Sequence, residues 1–274
     1  MNTAVSVIIT TRNEEKNIEA CLNSIKRQSY NDIEIIVIDN NSTDATKSIA
    51  KRYTAKFFDK GPERSAQRNF GAGKATGTYL LFLDADMELT PRVIKECVMI
   101  SEEKRKLAVV IPEESFGVGF WATCKALERS FYLKVDYIEA ARFFRKDIFE
   151  ALEGYDESIT GPEDYDLPQR VKELHGDQSI GRVSAHIRHN EGKLSLIGTM
   201  RKKYYYGKKM DRYKAKKENS QYLIKQASIL NRYIIFFSNP LKLFRDPVVG
   251  LGMLFMKTSE MVAIACGYVS AILV

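Results

Sequence analysis

The chain has 274 residues, 45% of them hydrophobic and 28% charged, with a formal charge of +7. That is enough apolar material for one substantial core, and it excludes intrinsic disorder as the organising feature. The positive charge is local: between Arg201 and Lys217 nine basic residues stand against one acid, Asp211, a net +8 that leaves everything else close to neutral.

From Ala4 to about Val110, short β-branched runs alternate with helical periods, as in a parallel sheet with crossover helices. The predicted strands are Val5 to Ile9, Ile33 to Ile38, Lys56 to Phe58, Tyr79 to Leu83 and Leu107 to Ile111. Between the first two, Ile18, Cys21, Leu22 and Ile25 recur at helical spacing and predict an amphipathic helix. Further on, the pattern predicts a helix around Phe120 to Leu133, a strand near Ala140 to Arg145, a helix running through Leu167, Val171 and Leu174, and strand-like pieces from Ile180 to His189. Val248 to Val274 is apolar and long enough to span a bilayer, but Lys257 and Glu260 interrupt it. Those two could pair at i and i+3. A re-entrant, interfacial or helix-packed segment therefore competes with a simple span.

The expected strand ends carry polar clusters: Thr10 to Asn13, Asp39 to Ser42, and Asp84 with Asp86. Ligands of open α/β sheets bind beyond the carboxyl ends of the strands, so this edge describes a site. Leu80 to Asp86 is an apolar strand ending in carboxylates at i and i+2, hard oxygen ligands suited to holding Mg²⁺ or Mn²⁺ against a diphosphate. Asp39 and Asn40 are free to hydrogen-bond a base or ribose, while Ser42 or Thr43 could cap the next helix. Gly161-Pro162-Glu163-Asp164 precedes a helix. A carboxylate there can serve as a cap, yet transfer without a covalent intermediate needs one to accept the proton of the incoming hydroxyl, and Asp164 is the candidate.

In order and spacing, Val5 to Glu14, Asp39 to Asp44, Arg64 to Asn69, Asp84-Ala85-Asp86, Gly154 to Glu157 and Glu163-Asp164 resemble the family 2 glycosyltransferases, a group that includes cellulose synthase-like and dolichyl-phosphate-sugar synthases. The likeness covers roughly residues 4 to 190. It implies an α/β chain of GT-A fold, a Rossmann-like mixed sheet flanked by helices, here with C-terminal interfacial or transmembrane helices. It also implies an inverting transfer from a nucleotide diphosphate sugar. The resemblance assigns donor contacts to Thr10, Arg12, Glu14, Asp39 and Asn40, turns Arg64 and Arg68 toward the donor, and makes Glu163, beside the base Asp164, a substrate-binding residue. Asp84 would lie near ribose and metal and Asp86 would ligate the metal. His189, whose neutral imidazole suits Mn²⁺, would complete the set. Asn40 stands where an acid is frequent, which leaves the nucleobase undetermined. GDP-mannose is mildly preferred as donor, and a UDP-sugar stays open.

The QxxRW motif of cellulose synthase-like members is absent. Arg201-Lys202-Lys203-Tyr204-Tyr205-Tyr206-Gly207-Lys208 stands in its place, and Arg201 and Lys203 could meet the pyrophosphate while the tyrosines suit a headgroup zone. The expected organisation is a catalytic domain over 1–195, a basic membrane-interface region over 196–245 and a membrane-embedded segment over 246–274. The expected partners are the sugar donor, a membrane lipid or lipid-linked glycan acceptor and the membrane surface, with homo-oligomerisation left open. Polyprenyl phosphate is an alternative acceptor; with that ionised group Asp164 would orient it rather than deprotonate it.

No stretch reads as a secretory signal and the four cysteines show no CxxC spacing, so the catalytic part is expected to face a reducing cytoplasm. A nucleotidyltransferase would also use acidic strand ends, but it would carry a Gly-rich basic loop where Thr10 to Glu14 stands. Nucleic acid is not expected, because those acids would repel it.

Overall fold

The computed structural model describes residues 4–159, 163–209 and 228–272. Along them run β1 (Val5–Thr11), α1 (Ile18–Lys26), β2 (Ile33–Asp39), α2 (Thr46–Ala50), β3 (Phe57–Asp59), α3 (Arg64–Lys74), β4 (Tyr79–Asp84), β5 (Met87–Leu89), α4 (Val93–Glu103), β6 (Ala108–Val110), β7 (Glu113–Phe116), α5 (Phe120–Phe131), β8 (Ala141–Arg145), α6 (Lys146–Ala151), α7 (Glu163–His175), β9 (Ile180–Arg182), β10 (Ile187–Asn190), α8 (Leu196–Lys208), α9 (Ile229–Phe237), α10 (Pro240–Leu243) and α11 (Pro247–Ile272). They form two compact units. The first is Met1–Glu113, Ala140–Glu157 and Glu163–Asn190; the second is Glu114–Glu139, Ser158–Pro162 and Glu191–Val274. The catalytic stretch expected over 1–195 is thus interrupted, because 114–139 groups with the C-terminal part. Gly161, Pro162, Arg212, Lys214, Lys216 and Lys217 lie outside the described residues.

The first unit is built on a seven-stranded sheet in the order β3-β2-β1-β4-β8-β6-β9. β1 pairs in parallel with β2 and β4. Its side chains alternate between faces as the strand period requires. Val7 and Ile9 point with Leu81 and Leu83 into a core shared with α1 and α4, whereas Ile8 points with Leu80 and Phe82 into the opposite core. Burial on both faces explains why these strands read as continuous apolar runs. α1 buries the predicted Ile18, Cys21, Leu22 and Ile25. Burying one such aliphatic side chain contributes about 1.5–3 kcal/mol.

The sheet is mixed, as the resemblance implies: β1 to β4 run parallel, and β8 inserts antiparallel between β4 and β6. The strand-like pieces expected from Ile180 to His189 are two strands in different sheets: β9 joins the large sheet beside β6, and β10 pairs antiparallel with β5, which sets His189 opposite Met87. Strand partners this distant in the chain are chosen by packing, which local periodicity does not encode.

In the second unit, Cys124, Phe131 and Tyr132 of the α5 region pack with Phe236, Leu243, Met253 and Met256. α8 and α11 approach backbone to backbone. A Cβ on Gly207 would lie 2.2 Å from the Ile264 carbonyl oxygen, and one on Gly267 2.2 Å from that of Tyr204, so only glycine fits either position. Lys257 and Glu260 do pair, at 3.0 Å. They also reach α5, where Lys257 bonds Glu128 at 2.7 Å and Glu260 bonds Lys125 at 2.9 Å. A Lys125–Glu128 contact of 2.8 Å closes the quartet.

Candidate active site

The site lies at the carboxyl edge of β1, β2 and β4, within the first unit. Register alone sets Thr10 beside Asp84 and Thr11 beside Asp39. The Thr10 hydroxyl donates to Asp84 Oδ1 at 2.9 Å. α3 runs beneath this edge and can do so closely because Gly71 lies against Ile8, where a Cβ would stand 2.5 Å from the Ile8 side chain. That approach presents Arg64 and Arg68, one helical turn apart, to the strand ends. Gln67 between them is buried and donates to the Ile38 carbonyl at 2.8 Å, closing the end of β2.

Arg68 is fully buried. It reaches Asp84 at 3.2 Å, Asp164 at 2.5 Å and Glu163 at 4.0 Å, with its guanidinium 5.2 Å over the Tyr155 ring. It therefore acts on the carboxylates rather than presenting itself to solvent. Arg64, half exposed, holds the other oxygen of Asp84 at 3.1 Å. Burial alone would raise the Asp84 carboxyl, but Arg64, Arg68 and Arg142 hold it well below the usual range.

Asp164 opens α7. Burial pushes its carboxyl up, and Arg68 followed by Arg142 pulls it further down, so the group is ionised. Glu163 beside it moves the other way, raised by burial and by the charge of Asp164. Arg142 on β8 lies 3.9 Å from Asp164 and 2.6 Å from Glu113, the first residue of β7. Glu113 in turn accepts the 3.2 Å contact of His189 Nδ1, and His189 Nε2 lies 3.4 Å from Asp86 Oδ2. A continuous chain of charge thus runs Asp84, Arg68, Asp164, Arg142, Glu113, His189, Asp86. Burial lowers the His189 imidazole, but Asp86 and Glu113 outweigh it and raise it to about 10.

The structure brings together Thr10, Arg64, Arg68, Asp84, Asp86, Glu163, Asp164 and His189. Gln67, within the matched Arg64 to Asn69 stretch, joins them without having been assigned a role, and Arg142 and Glu113 are additional members with no sequence signal, since each matters only through a partner far away in the chain. Glu14 enters α1 nearby, its carboxyl raised by burial and by Asp86 and Asp84 despite the hydrogen bond from Asn17. Arg12 is exposed at the end of β1.

At the end of β2 the buried Asp39 accepts from the Ser42 amide at 2.7 Å and the Ser42 hydroxyl at 2.5 Å. Asn40 donates to the Pro62 carbonyl at 2.8 Å. The expected Ser42 or Thr43 helix cap is not formed. Ser42 accepts from the Asn13 amide at 2.7 Å and the Thr43 amide donates to Asn13 Oδ1 at 2.8 Å, so both tie the β2 turn to the β1 turn. Asn13, at φ 54, adopts the left-handed conformation that short polar side chains tolerate. Arg201 and Lys203 belong to α8 in the second unit. There Arg201 is exposed, and burial brings the Lys203 amine down to about 7 although Glu260 opposes the shift.

Among the described residues no group of three or more His, Cys, Asp or Glu is placed to hold a metal ion. Of the three expected ligands, Asp84 is taken up by Thr10 and two arginines, while Asp86 and His189 face each other. Asp86 Oδ1 is buried and has no hydrogen-bond partner among the described residues. A buried carboxylate oxygen left unpaired beside an imidazole fits a divalent cation that takes its remaining ligands from a diphosphate and water.

The profile of glycosyl transferase family 2 matches residues 6–152. Over 91 residues the chain is 38% identical to the glycosyltransferase AglE of Haloferax volcanii, covering 30% of each chain. Over 95 residues it is 36% identical to the GalNAc(5)-diNAcBac-PP-undecaprenol beta-1,3-glucosyltransferase of Campylobacter jejuni, covering 31% of this chain and 30% of that one. These matches span about a third of the curated relatives' length. Among solved structures, the mannosyltransferase PcManGT of Pyrobaculum calidifontis, in complex with GDP-Man and Mn²⁺, superposes with a TM-score of 0.66 over 99% of this chain and 88% of that one, at 16% identity. The fold is therefore GT-A, and with its profile matched over more than half its length the chain belongs to glycosyl transferase family 2.

Proposed function

We propose that this protein is an inverting, metal-dependent glycosyltransferase that moves a sugar, with mannose from GDP-mannose mildly preferred, from a nucleotide diphosphate to a membrane-located, polyprenyl-linked acceptor. The observation that carries this reading is the buried charge chain that links Asp84, Asp86, Asp164 and His189 at one sheet edge. Thr10, Arg12, Glu14 and the Asp39-Asn40 turn receive the nucleoside. Asp86 and His189 would hold Mn²⁺ or Mg²⁺, the imidazole giving up to solvent the proton that Asp86 and Glu113 otherwise keep on it, and the ion would supply positive charge against the departing diphosphate.

Arg64 adds charge from the half-exposed side of Asp84, and Arg201 and Lys203 are assigned to the pyrophosphate. Arg68 and Arg142 fix Asp164 in its ionised form, ready to accept the hydroxyl proton as the acceptor attacks. Attack from the face opposite the leaving group inverts the anomeric centre. The names of AglE's fellow relative and of the mannosyltransferase neighbour support the lipid-linked acceptor and the GDP-sugar respectively. A UDP-sugar donor remains the alternative, as does a polyprenyl-phosphate acceptor, with which Asp164 orients rather than deprotonates.

In this reading the catalytic unit faces the cytoplasm and the C-terminal unit attaches the enzyme to the membrane. α11, long and apolar enough to cross one, supports the attachment. The test is thermal unfolding of the detergent-purified protein with Mn²⁺ and either GDP or UDP. Protection by GDP and its loss in Asp86→Ala are expected; equal absence of protection by both nucleotides overturns the donor assignment.

A further inference from the structure

α11 carries its charges on one side only. Lys257 and Glu260 turn inward to Lys125 and Glu128 of α5, and Tyr132 adds a 2.8 Å hydrogen bond to Glu128. The opposite stripe, Val248, Leu251, Phe255, Val262, Val269 and Ile272, is exposed and uncharged from one end of the helix to the other. This is the reverse of a water-soluble helix, and it matches a helix whose polar groups face protein and whose outer face meets lipid. α5 continues the same surface. Phe120 is exposed at its first turn, Val118 just ahead of it is 70% exposed, and Trp121 lies with its ring 6.4 Å from that of Phe255. Leu241 of α10, 87% exposed, extends the apolar area. On α8, Arg201 and Lys202 are exposed beside Tyr204 and Tyr205, a pairing that complements anionic headgroups.

Geometry then decides how deep this surface goes. α11, with 26 residues, is about 39 Å long, enough for the roughly 30 Å hydrocarbon core, but α5 with 12 residues reaches only about 18 Å. The ionic quartet fastens the middle of α11 to α5. Standing α11 upright across a bilayer would carry α5 to the midplane together with Glu114, Lys134 and Asp136, which flank it. Lying flat keeps those charges in water and sinks only the apolar stripe.

We infer that α5 and α11 form one monotopic wedge that enters a single leaflet of an anionic bilayer, so that α11 does not cross it. This rests on the membrane-acceptor reading above and makes part of the chain's middle, 117–133, a membrane-contacting element. It sets the acceptor's lipid on the leaflet in which the wedge lies.

Trp121 is the only tryptophan and reports directly. The full-length protein is bound to vesicles of phosphatidylcholine and phosphatidylglycerol, recovered by flotation, and its fluorescence measured with nitroxides placed on the lipid chain either near the headgroup or at the chain end, and with aqueous acrylamide. The wedge gives a blue-shifted emission, the larger loss of intensity from the nitroxide near the headgroup, and weak loss from acrylamide. A larger loss from the chain-end nitroxide means a deep span and overturns the inference. So does floated protein quenched by acrylamide alone, which leaves α5 outside the membrane while the membrane reading survives. Failure to float removes both.

Discussion

Both units of this protein bury a network of acids and bases, and the two networks are finished differently. In the C-terminal unit the quartet Lys125, Glu128, Lys257 and Glu260 is closed: each acid meets both lysines. In the catalytic unit the chain from Asp84 to Asp86 is left open, with Asp86 Oδ1, Arg68 Nε and Arg142 Nη1 buried and without a hydrogen-bond partner among the described residues. A saturated network has nothing left to offer a ligand and can only fix helices against each other. An open one retains binding capacity, at a cost in folding free energy that a bound partner can offset.

The comparison can be broken most severely at Asp164. Asp164→Asn removes the proposed base and leaves its size, so turnover should fall by about 10²–10⁴-fold while nucleotide protection against thermal unfolding persists. Turnover close to wild type would show that this member of the open network does not touch the reacting hydroxyl.

The closed network should respond in stability rather than in chemistry. Glu260→Ala leaves two buried lysines sharing one acid and should destabilise the protein by about 3–5 kcal/mol in denaturant unfolding. Replacing Lys257 and Glu260 together by Met and Leu keeps the Lys125–Glu128 pair and should cost far less. Equal losses in the single and double variants would mean that the quartet is not acting as a closed set of charges.

The smallest effect is expected at Glu34, an ion pair at the sheet's far edge that is closed but borders water. Burial raises its carboxyl, but bonds from Lys56, Ser6 and Thr76 outweigh that and bring it from the ordinary 4.5 to about 2. Because the folded value lies below the unfolded one, its stabilisation is complete above pH 4.5 and fades as the pH falls toward 2. Acid unfolding of Glu34→Gln should be flatter across that window, and an unchanged slope would show that the pair adds nothing.

Much of the catalytic unit was legible in the sequence because its information is local. A β-branched run buried on both faces reads as a strand, its polar terminus marks the carboxyl edge, and Asp84, Asp86, Asp164 and His189 each sit at such a terminus or at a helix start. Arg68 was legible as a residue of the site but not in its surroundings. The resemblance turned it toward the donor, whereas burial against Tyr155 turns it to the carboxylates. Arg142 and Glu113 carried no signal at all, because an arginine within a strand acquires meaning only from the acid that folding brings to it.

The sequence alone therefore determined the sheet, its active edge and the apolar character of the last helix, all of which follow from periodicity within a few residues. Tertiary structure alone decided that β8 runs against its neighbours, that residues 114–139 join the C-terminal unit, and that Lys257 and Glu260 are neutralised by α5. The physical reason is the same in each case. Charges and strand edges are satisfied by whichever partner the chain brings within a few ångströms, and that partner can lie a hundred residues away.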